Sequence, residues 1–403
     1  MSFLREKTSK FIEAKIAREH GYYPFFRMIS SEQDTEVIIN GKKVLMFGSN
    51  SYLGLTNHPQ IIEAAVKATE KYGSACAGSR FLNGTLDIHI ELENRLAKFV
   101  NKEDALVFST GFQVNAGVIP AIAGRNDYVI IDELDHASII EGTRLSFGKT
   151  LKYRHNDIDN LEKILQKCNP NAIKLIVVDG IFSMEGDFAN LPAIVDLARK
   201  YDATIMVDEA HSIGVVGKDN SGNGTVGHFG VEDDVDLIMG TFSKSLAAIG
   251  GFIASDADTI DYLRHHARSL IFSASITPGS TAAVLAALDI MEQEPERIQK
   301  LWDNTNFAIK KCREYGFDIG RTSTPIIPIY IRDNEKTFWL TQKLLDKGVF
   351  VNPVVAPAVP SSDTLIRFSL MATHTIDQID YAIDQIYKTG KELGITFNNY
   401  VKD

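Results

Sequence analysis

The chain of 403 residues is poor in cysteine, proline and tryptophan, with 3, 12 and 2 of them. Cys76, Cys168 and Cys312 are odd in number and far apart, which argues against a disulfide scaffold and for a reducing compartment. No apolar run approaches the roughly 18–20 residues that a membrane-spanning helix needs. Residues 1–20 alternate charge with apolar groups and lack the apolar block of a signal peptide. Positive charge is not in excess either: 42 Lys and Arg stand against 52 Asp and Glu, a net −10, with no long run of either sign. The clustered basic footprint of a nucleic-acid binder is therefore missing. So are internal repeats and low-complexity segments. What remains is 44% hydrophobic and 23% charged, too apolar for disorder and ample for a large core. The expectation is a cytoplasmic α/β enzyme.

Periodicity supplies the elements. Residues 3–19 read as one amphipathic helix, leading into the aromatic GYYPFFR at 21–27. Pro59 opens a helix that Gly73 stops. Ile88, Leu92, Leu96 and Phe99 recur at helical spacing. Unalternating apolar runs follow at ALVFS (105–109), YVIID (128–132), KLIVVDG (174–180) and TIMVDEA (204–210), separated by helical stretches. Such runs suit strands buried on both faces of a parallel sheet. After Pro278 come a long helical region (279–315), IIPIYI (326–331), a helix at 336–347, GVFVNP and LIRFSL. Thr375 and Gln378 form a capping box for a last helix. The pattern predicts an N-terminal helix and arm over 1–45, a large domain over 46–289 and a smaller α+β domain over 290–403.

In parallel α/β sheets the ligand crevice lies outside the carboxyl ends of the strands. Four of these ends carry polar groups. Asp132 precedes His136, Asp179 precedes Ser183, Asp208 precedes Glu-Ala-His211, and DLIMG runs into Thr241-Phe-Ser-Lys244. A carboxylate, two imidazoles, hydroxyls and one lysine thus gather at one edge, the set that a pyridoxal phosphate (PLP) site requires. A lysine must hold the cofactor, a role for Lys244. A carboxylate facing the pyridine nitrogen favours its protonated form, a role for Asp208. An imidazole plane over the ring suits His136, and a donor to the ring oxygen suits His211. Phosphate is met by helix-start amides and hydroxyls, available at Ser109-Thr-Gly111-Phe112, Thr241 and Ser243. Singly, each residue has a plain structural use as a turn former, helix cap or core histidine, so the pattern carries weight only jointly.

Asp208-Glu-Ala-His211 also spells the DEAH box of a nucleotide hydrolase acting on nucleic acid. That reading needs a G-x-x-x-x-G-K-[ST] loop. Gly142-Thr-Arg-Leu-Ser-Phe-Gly148-Lys149-Thr150 has five residues between its glycines and no strand before it. Gly222-Asn-Gly224-Thr-Val-Gly227 fits G-x-G-x-x-G but follows no buried strand, and reads as a mobile loop rather than a nicotinamide site. No H-E-x-x-H, paired C-x-x-C or G-x-S-x-G occurs, and neither a metal site nor a serine-hydrolase elbow is expected.

Several ordered motifs resemble one family: Asn50-Ser-Tyr-Leu-Gly54, Gly78-Ser-Arg80, Gly84-Thr with His89 and Glu93, Ser109-Thr-Gly-Phe112, Asp135-His136-Ala-Ser138, Phe182-Ser183-Met-Glu-Gly-Asp187, Asp208-Glu-Ala-His211 and Gly240-Thr-Phe-Ser-Lys244. These are similar to the α-oxoamine synthases, PLP enzymes that join an amino acid to an acyl-CoA thioester, and the likeness runs over about 45–375. It implies a fold-type I PLP transferase, α/β, with a large, mainly parallel-sheet domain that binds the cofactor and a smaller C-terminal α+β domain. It implies Lys244 as the cofactor-holding lysine, His136 as the stacking base, Asp208 as the ring-nitrogen partner and His211 at the ring hydroxyl, with Ser183 close by. Gly111, Phe112 and Thr241 would hold the phosphate. Such enzymes are homodimers with sites at the interface, so Ser273 and Ser275 would reach the partner subunit's phosphate. Arg367, odd as packing in an alternating strand, aligns with the arginine that clamps the amino-acid carboxylate. Asn50 would line the substrate pocket.

The lysine motif followed by Gly250-Gly-Phe252, and Asn352-Pro-Val-Val-Ala-Pro-Ala-Val-Pro360, resemble the branch that uses L-serine and a long-chain acyl-CoA. The activity implied is decarboxylating condensation of L-serine with palmitoyl-CoA to 3-ketosphinganine, CoA and carbon dioxide, the first step of sphingolipid synthesis. The alternatives are a relative joining glycine to acetyl-CoA (2-amino-3-ketobutyrate CoA ligase) and the DEAH hydrolase. One departure is Ala247-Ala248-Ile249, where a glycine-containing turn is expected. A lipid product implies peripheral contact with the inner membrane, with Phe25 and Phe26 as candidate contacts.

Overall fold

The computed structural model describes residues 2–356 and 359–397. Pro357 and Ala358 of the 352–360 motif therefore lie outside the described residues. The chain folds as two compact units. One comprises Asn50–Asp303 with Met371–Thr373, the other the segments up to Ser49, Asn304–Leu370 and from His374 onward.

The larger unit is built on a seven-stranded sheet. In spatial order its strands are Asp104–Phe108, Gly251–Ser255, Leu237–Thr241, Thr204–Asp208, Lys174–Asp179, Tyr128–Asp132 and Lys149–Tyr153. Gly251–Ser255 is antiparallel to both its neighbours, and the other six strands run one way. The unalternating runs are buried apart from residues at their ends such as Tyr128 and Thr204, because their two faces feed two separate cores. Ile176, Val178, Ile205 and Val207 pack on one side, and Leu175, Val177 and Met206 on the other. Each fully buried aliphatic side chain of this kind contributes about 1.5–3 kcal/mol. Pro59–Tyr72 is helical and ends on Gly73 at φ 88°, as its punctuation predicts.

The smaller unit holds two three-stranded sheets. Lys42–Met46 pairs with Glu36–Ile39 and Val349–Phe350, and Leu365–Ser369 lies between Ile326–Tyr330 and Asn352–Val354. Thr375 and Gln378 form the predicted capping box of the helix Ile376–Glu392. The single N-terminal helix expected over 3–19 is instead two, Phe3–Ser9 and Glu13–Glu19. Neither buries a residue, so no packing offsets the cost of a continuous helix through Lys10–Ile12. Among the described residues no helix is long and apolar enough to cross a membrane.

A buried ion pair ties the helix Asp87–Phe99 to the edge strand. Arg80 Nη1 and Nη2 donate to the two Glu93 oxygens at 2.8 and 3.0 Å, and Val107 N–H donates to Glu93 at 2.9 Å. Both side chains are under 8% exposed. Removing one partner strands the other charge, so Glu93→Ala should lower unfolding free energy by about 3–5 kcal/mol. Urea denaturation measures it; a loss below about 1 kcal/mol would show that Arg80 finds another partner or water.

Candidate active site

Because six strands share a direction, Phe108, Asp132, Tyr153, Asp179, Asp208 and Thr241 all end at one edge of the larger unit's sheet. Asp179 and Asp208 are direct partners on adjacent strands. Asp208 is 2% exposed; its Oδ1 accepts the Ala210 N–H at 3.0 Å and its Oδ2 accepts from Asn115 Nδ2 at 2.8 Å. His211, also buried, has its Nδ1 2.7 Å from the hydroxyl of the fully enclosed Tyr52.

His136 caps the helix Ala137–Leu145 and stays accessible to solvent. Its Nδ1 lies 2.7 Å from Ser138 Oγ and accepts the Ser138 N–H at 3.3 Å, while the His136 backbone N–H donates to Asp179 Oδ2 at 3.0 Å. Partial burial holds the imidazole below its ordinary pKa, helped by the Lys244 charge and opposed by Asp208. Lys244 likewise acts on Asp179, against the raising effects of burial and Asp208. Electrostatics thus bring His136, Asp179, Asp208 and Lys244 into one site.

The helix Gly111–Ile122 starts beside it. Thr110 caps this helix, and its first turn carries no acidic residue, so nothing on it repels an anion. Glycine is required here by close approach: a Cβ on Gly111 would meet Thr241 Oγ1 at 2.6 Å, and one on Gly251 would meet Gly111 Cα at 2.7 Å. Phe112 is half exposed, Ser183, Lys244 and Asn50 are half-buried, and Thr241 is buried with its hydroxyl donating to Gly250 O at 3.1 Å. Ser273 Oγ accepts from Gln113 Nε2 at 2.9 Å, and Ser275 Oγ donates to Gly78 O at 3.0 Å, so both hydroxyls have partners within their own chain. The turn after Lys244 places Ala247 at φ 55°. This is the left-handed conformation glycine would favour, at a cost of about 1–2 kcal/mol for alanine. In the smaller unit Arg367 is 5% exposed on the central strand, paired in register with Pro328 and Asn352, and donates to Ser369 Oγ at 2.6 Å.

The competing motifs take structural roles. Gly142 lies inside the Ala137–Leu145 helix, so the segment 142–150 is no strand-to-helix phosphate loop. Glu209 is fully enclosed and accepts from the backbone N–H groups of Thr225 and Val226 at 2.9 and 2.8 Å. The expected mobile loop at Gly222–Gly227 is packed instead. Gly222 and Gly224 are buried, and a Cβ on Gly224 would strike the Glu209 carboxyl at 2.7 Å.

Residues 42–386 match the family profile of aminotransferase class I and II. The chain is 61% identical to the serine palmitoyltransferase of Sphingobacterium spiritivorum, covering 97% of this chain and 98% of that one. It is 60% identical to that of Bacteroides ovatus, covering 98% and 100%. A solved serine palmitoyltransferase from S. paucimobilis with bound PLP superimposes with a TM-score of 0.94 at 34% identity, over 98% of this chain and 100% of that one. The chain belongs to the α-oxoamine synthase family.

It is a PLP enzyme of fold type I, an acyltransferase, and the residues present fit that cofactor. The close approach of Gly111 to Gly251 sets the first turn of the Gly111–Ile122 helix, whose amides suit a phosphate, beside the Thr241 hydroxyl. A buried carboxylate and a lysine lie within electrostatic reach of one imidazole.

Sequence reasoning placed the principal side chains at this edge and missed what supports them. Asn115 lies on a buried helix face, and only its polarity in an apolar stretch could have signalled it. Asp135 accepts the backbone N–H groups of Asp132 and Asp179 at 2.9 and 3.0 Å. Asp135 and Asp179 are pushed well above the usual carboxylate range, first by burial and then by neighbouring carboxylates. His155 bridges Asp132 and Asp187 at 3.1 and 3.0 Å. Burial opposes its charged form, but the hydrogen bonds and charges of these carboxylates outweigh it and lift the imidazole to about 10.

A group raised in the folded state stabilises fully below its unfolded pKa, near 6.5 for histidine, and loses that contribution as pH rises through the folded value. Stability should therefore fall between about pH 6.5 and 10, a slope that Asn in place of His155 should flatten. Thermal midpoints across that range decide; parallel profiles for wild type and His155→Asn would refute it.

Proposed function

We infer that this α-oxoamine synthase condenses L-serine with palmitoyl-CoA, releasing CoA and carbon dioxide and yielding 3-ketosphinganine at the entry to sphingolipid synthesis. The observation that carries this reading is the 61% and 60% identity to two serine palmitoyltransferases across nearly the whole chain. PLP, when bound, supplies an electron sink for negative charge on the α-carbon of serine.

The chain's own residues supply the rest. Lys244 would hold the cofactor, and its Nζ, once set free by the incoming amino group of serine, would accept the α-proton. The amides of Gly111 and Phe112 with the Thr241 hydroxyl receive the phosphate. Asp208, buried and held by Asn115, would favour a proton on the cofactor's ring nitrogen, and His211 with Ser183 would donate to its ring oxygen. His136 would cover the cofactor ring and donate a hydrogen bond to the thioester oxygen as charge builds there. Arg367 would pair with the serine carboxylate, and Asn50 would contribute to substrate binding. The enzyme works as a homodimer in which Ser273 and Ser275 approach the partner subunit's phosphate. It is cytoplasmic, with peripheral contact at the inner membrane through Phe26, which is 96% exposed, and the neighbouring Phe25.

Product analysis tests the reading. With L-serine and palmitoyl-CoA the PLP-loaded protein should form 3-ketosphinganine and CoA, and Lys244→Ala should lose both this product and the lysine-dependent visible band. Turnover confined to glycine and acetyl-CoA would overturn it. Arg367→Ala should raise the KM for L-serine by about a hundredfold while leaving PLP content unchanged, in keeping with loss of a charge-assisted bidentate pair worth about 3 kcal/mol. Equal loss of serine affinity and of PLP would contradict the clamp.

A further inference from the structure

The hydrogen bonds around His136 have a direction that can be read atom by atom. Asp208 offers Asn115 only acceptors, so the amide nitrogen of Asn115 faces it, Nδ2 to Oδ2 at 2.8 Å. The same Nδ2 lies 2.8 Å from Ser138 Oγ, and its second hydrogen goes there. Ser138 Oγ thus accepts from Asn115, and its single hydrogen is left for His136 Nδ1, 2.7 Å away. The Ser138 backbone N–H is aimed at that same Nδ1 at 3.3 Å. A ring nitrogen that receives two donors carries no proton, so in the neutral imidazole the hydrogen sits on Nε2. Burial together with the Lys244 charge favours the neutral ring.

The arrangement has a cost that shows what sets its direction. Asn115 is fully buried, and its Oδ1 has no hydrogen-bond partner. Turning the amide over would give Oδ1 a donor in the Ser138 hydroxyl but would set that oxygen against the Asp208 carboxylate. The carboxylate decides, and an unsatisfied buried oxygen, worth about 1–3 kcal/mol, is tolerated. Asp179, accepting the His136 N–H at 3.0 Å, holds the backbone of the residue from the other side.

We propose that Asn115 and Ser138 are positioning residues that transmit the orientation imposed by Asp208 to His136, fixing the tautomer in which Nε2 is a hydrogen-bond donor. The proposal rests on the condensation described above, in which His136 donates to the thioester oxygen. The opposite tautomer would turn a lone pair toward the same oxygen and repel it.

The PLP-loaded protein, labelled with 15N in its histidine rings and free of substrate, provides the test, with His136→Gln assigning the signals. Nδ1 of His136 should resonate as an unprotonated and Nε2 as a protonated nitrogen. Ser138→Ala should move both signals toward the averaged values of a free imidazole, and Ser138→Thr, which keeps the hydroxyl, should restore them. In turnover with L-serine and palmitoyl-CoA, Ser138→Ala and Asn115→Ala should lower kcat about tenfold with KM for L-serine changed less than about threefold. Ser138→Ala should have no further effect in a His136→Ala background. A protonated Nδ1 in the wild type, or His136 signals unmoved by Ser138→Ala, overturns the relay even if the alanine at 115 prevents folding. The expected tautomer without any product from L-serine and palmitoyl-CoA overturns the function and leaves the relay standing.

Discussion

Buried carboxylates govern this molecule. Asp132, Asp135, Asp179 and Asp208 are each under 5% exposed, all at the carboxyl ends of neighbouring parallel strands or in the loop just after one. An isolated buried carboxylate costs several kcal/mol, and four near one another cannot all be ionised without compensation. Compensation comes from backbone N–H groups, from His155 lifted to about 10 and from Lys244, while burial and the neighbouring carboxylates push Asp135 and Asp179 well above the usual carboxylate range. Each compensating group is a restraint on a loop.

Those restraints build the site. Asp132 accepts from the Leu134 and Asn156 N–H groups, and Asp135 bridges the ends of two strands. Asp179 then holds the backbone of His136, while Asn115 joins Asp208 to Ser138. The result is a chain of hydrogen bonds that runs from one strand end through His136, Ser138 and Asn115 to the adjacent strand. Groups so fixed need little reorganisation when charge develops on a substrate. Local strain is tolerated beside it, as Ala247 at φ 55° in the turn after Lys244 illustrates.

Much of the fold was legible because burial on two faces leaves a clear mark. The runs ending in Asp132, Asp179 and Asp208 are too apolar and too short for anything but central strands, and the polar residues after them must face the sheet edge. Spacing and chemistry together put His136 and His211 just past two of those ends, and Lys244 just past the strand Leu237–Thr241. Regular periodicity makes the N-terminal helix look continuous, but neither of its two halves buries a residue that would hold it so. Composition alone makes the glycine-rich stretch 222–227 look like a mobile loop, because it does not show that Glu209 closes over it.

By itself the sequence determined the strand runs, the residues at their ends and the membership of the lysine, carboxylate and imidazole set. These follow from local periods of two and 3.6 residues and from residue chemistry, which a linear string displays. Only the tertiary structure decided which of those groups support one another. Asn115 meets Asp208 from 93 residues away, and Tyr52 meets His211 from 159. Such pairs arise from the order in which strands lie side by side, and that order is set by burying both sheet faces at once rather than by any local pattern.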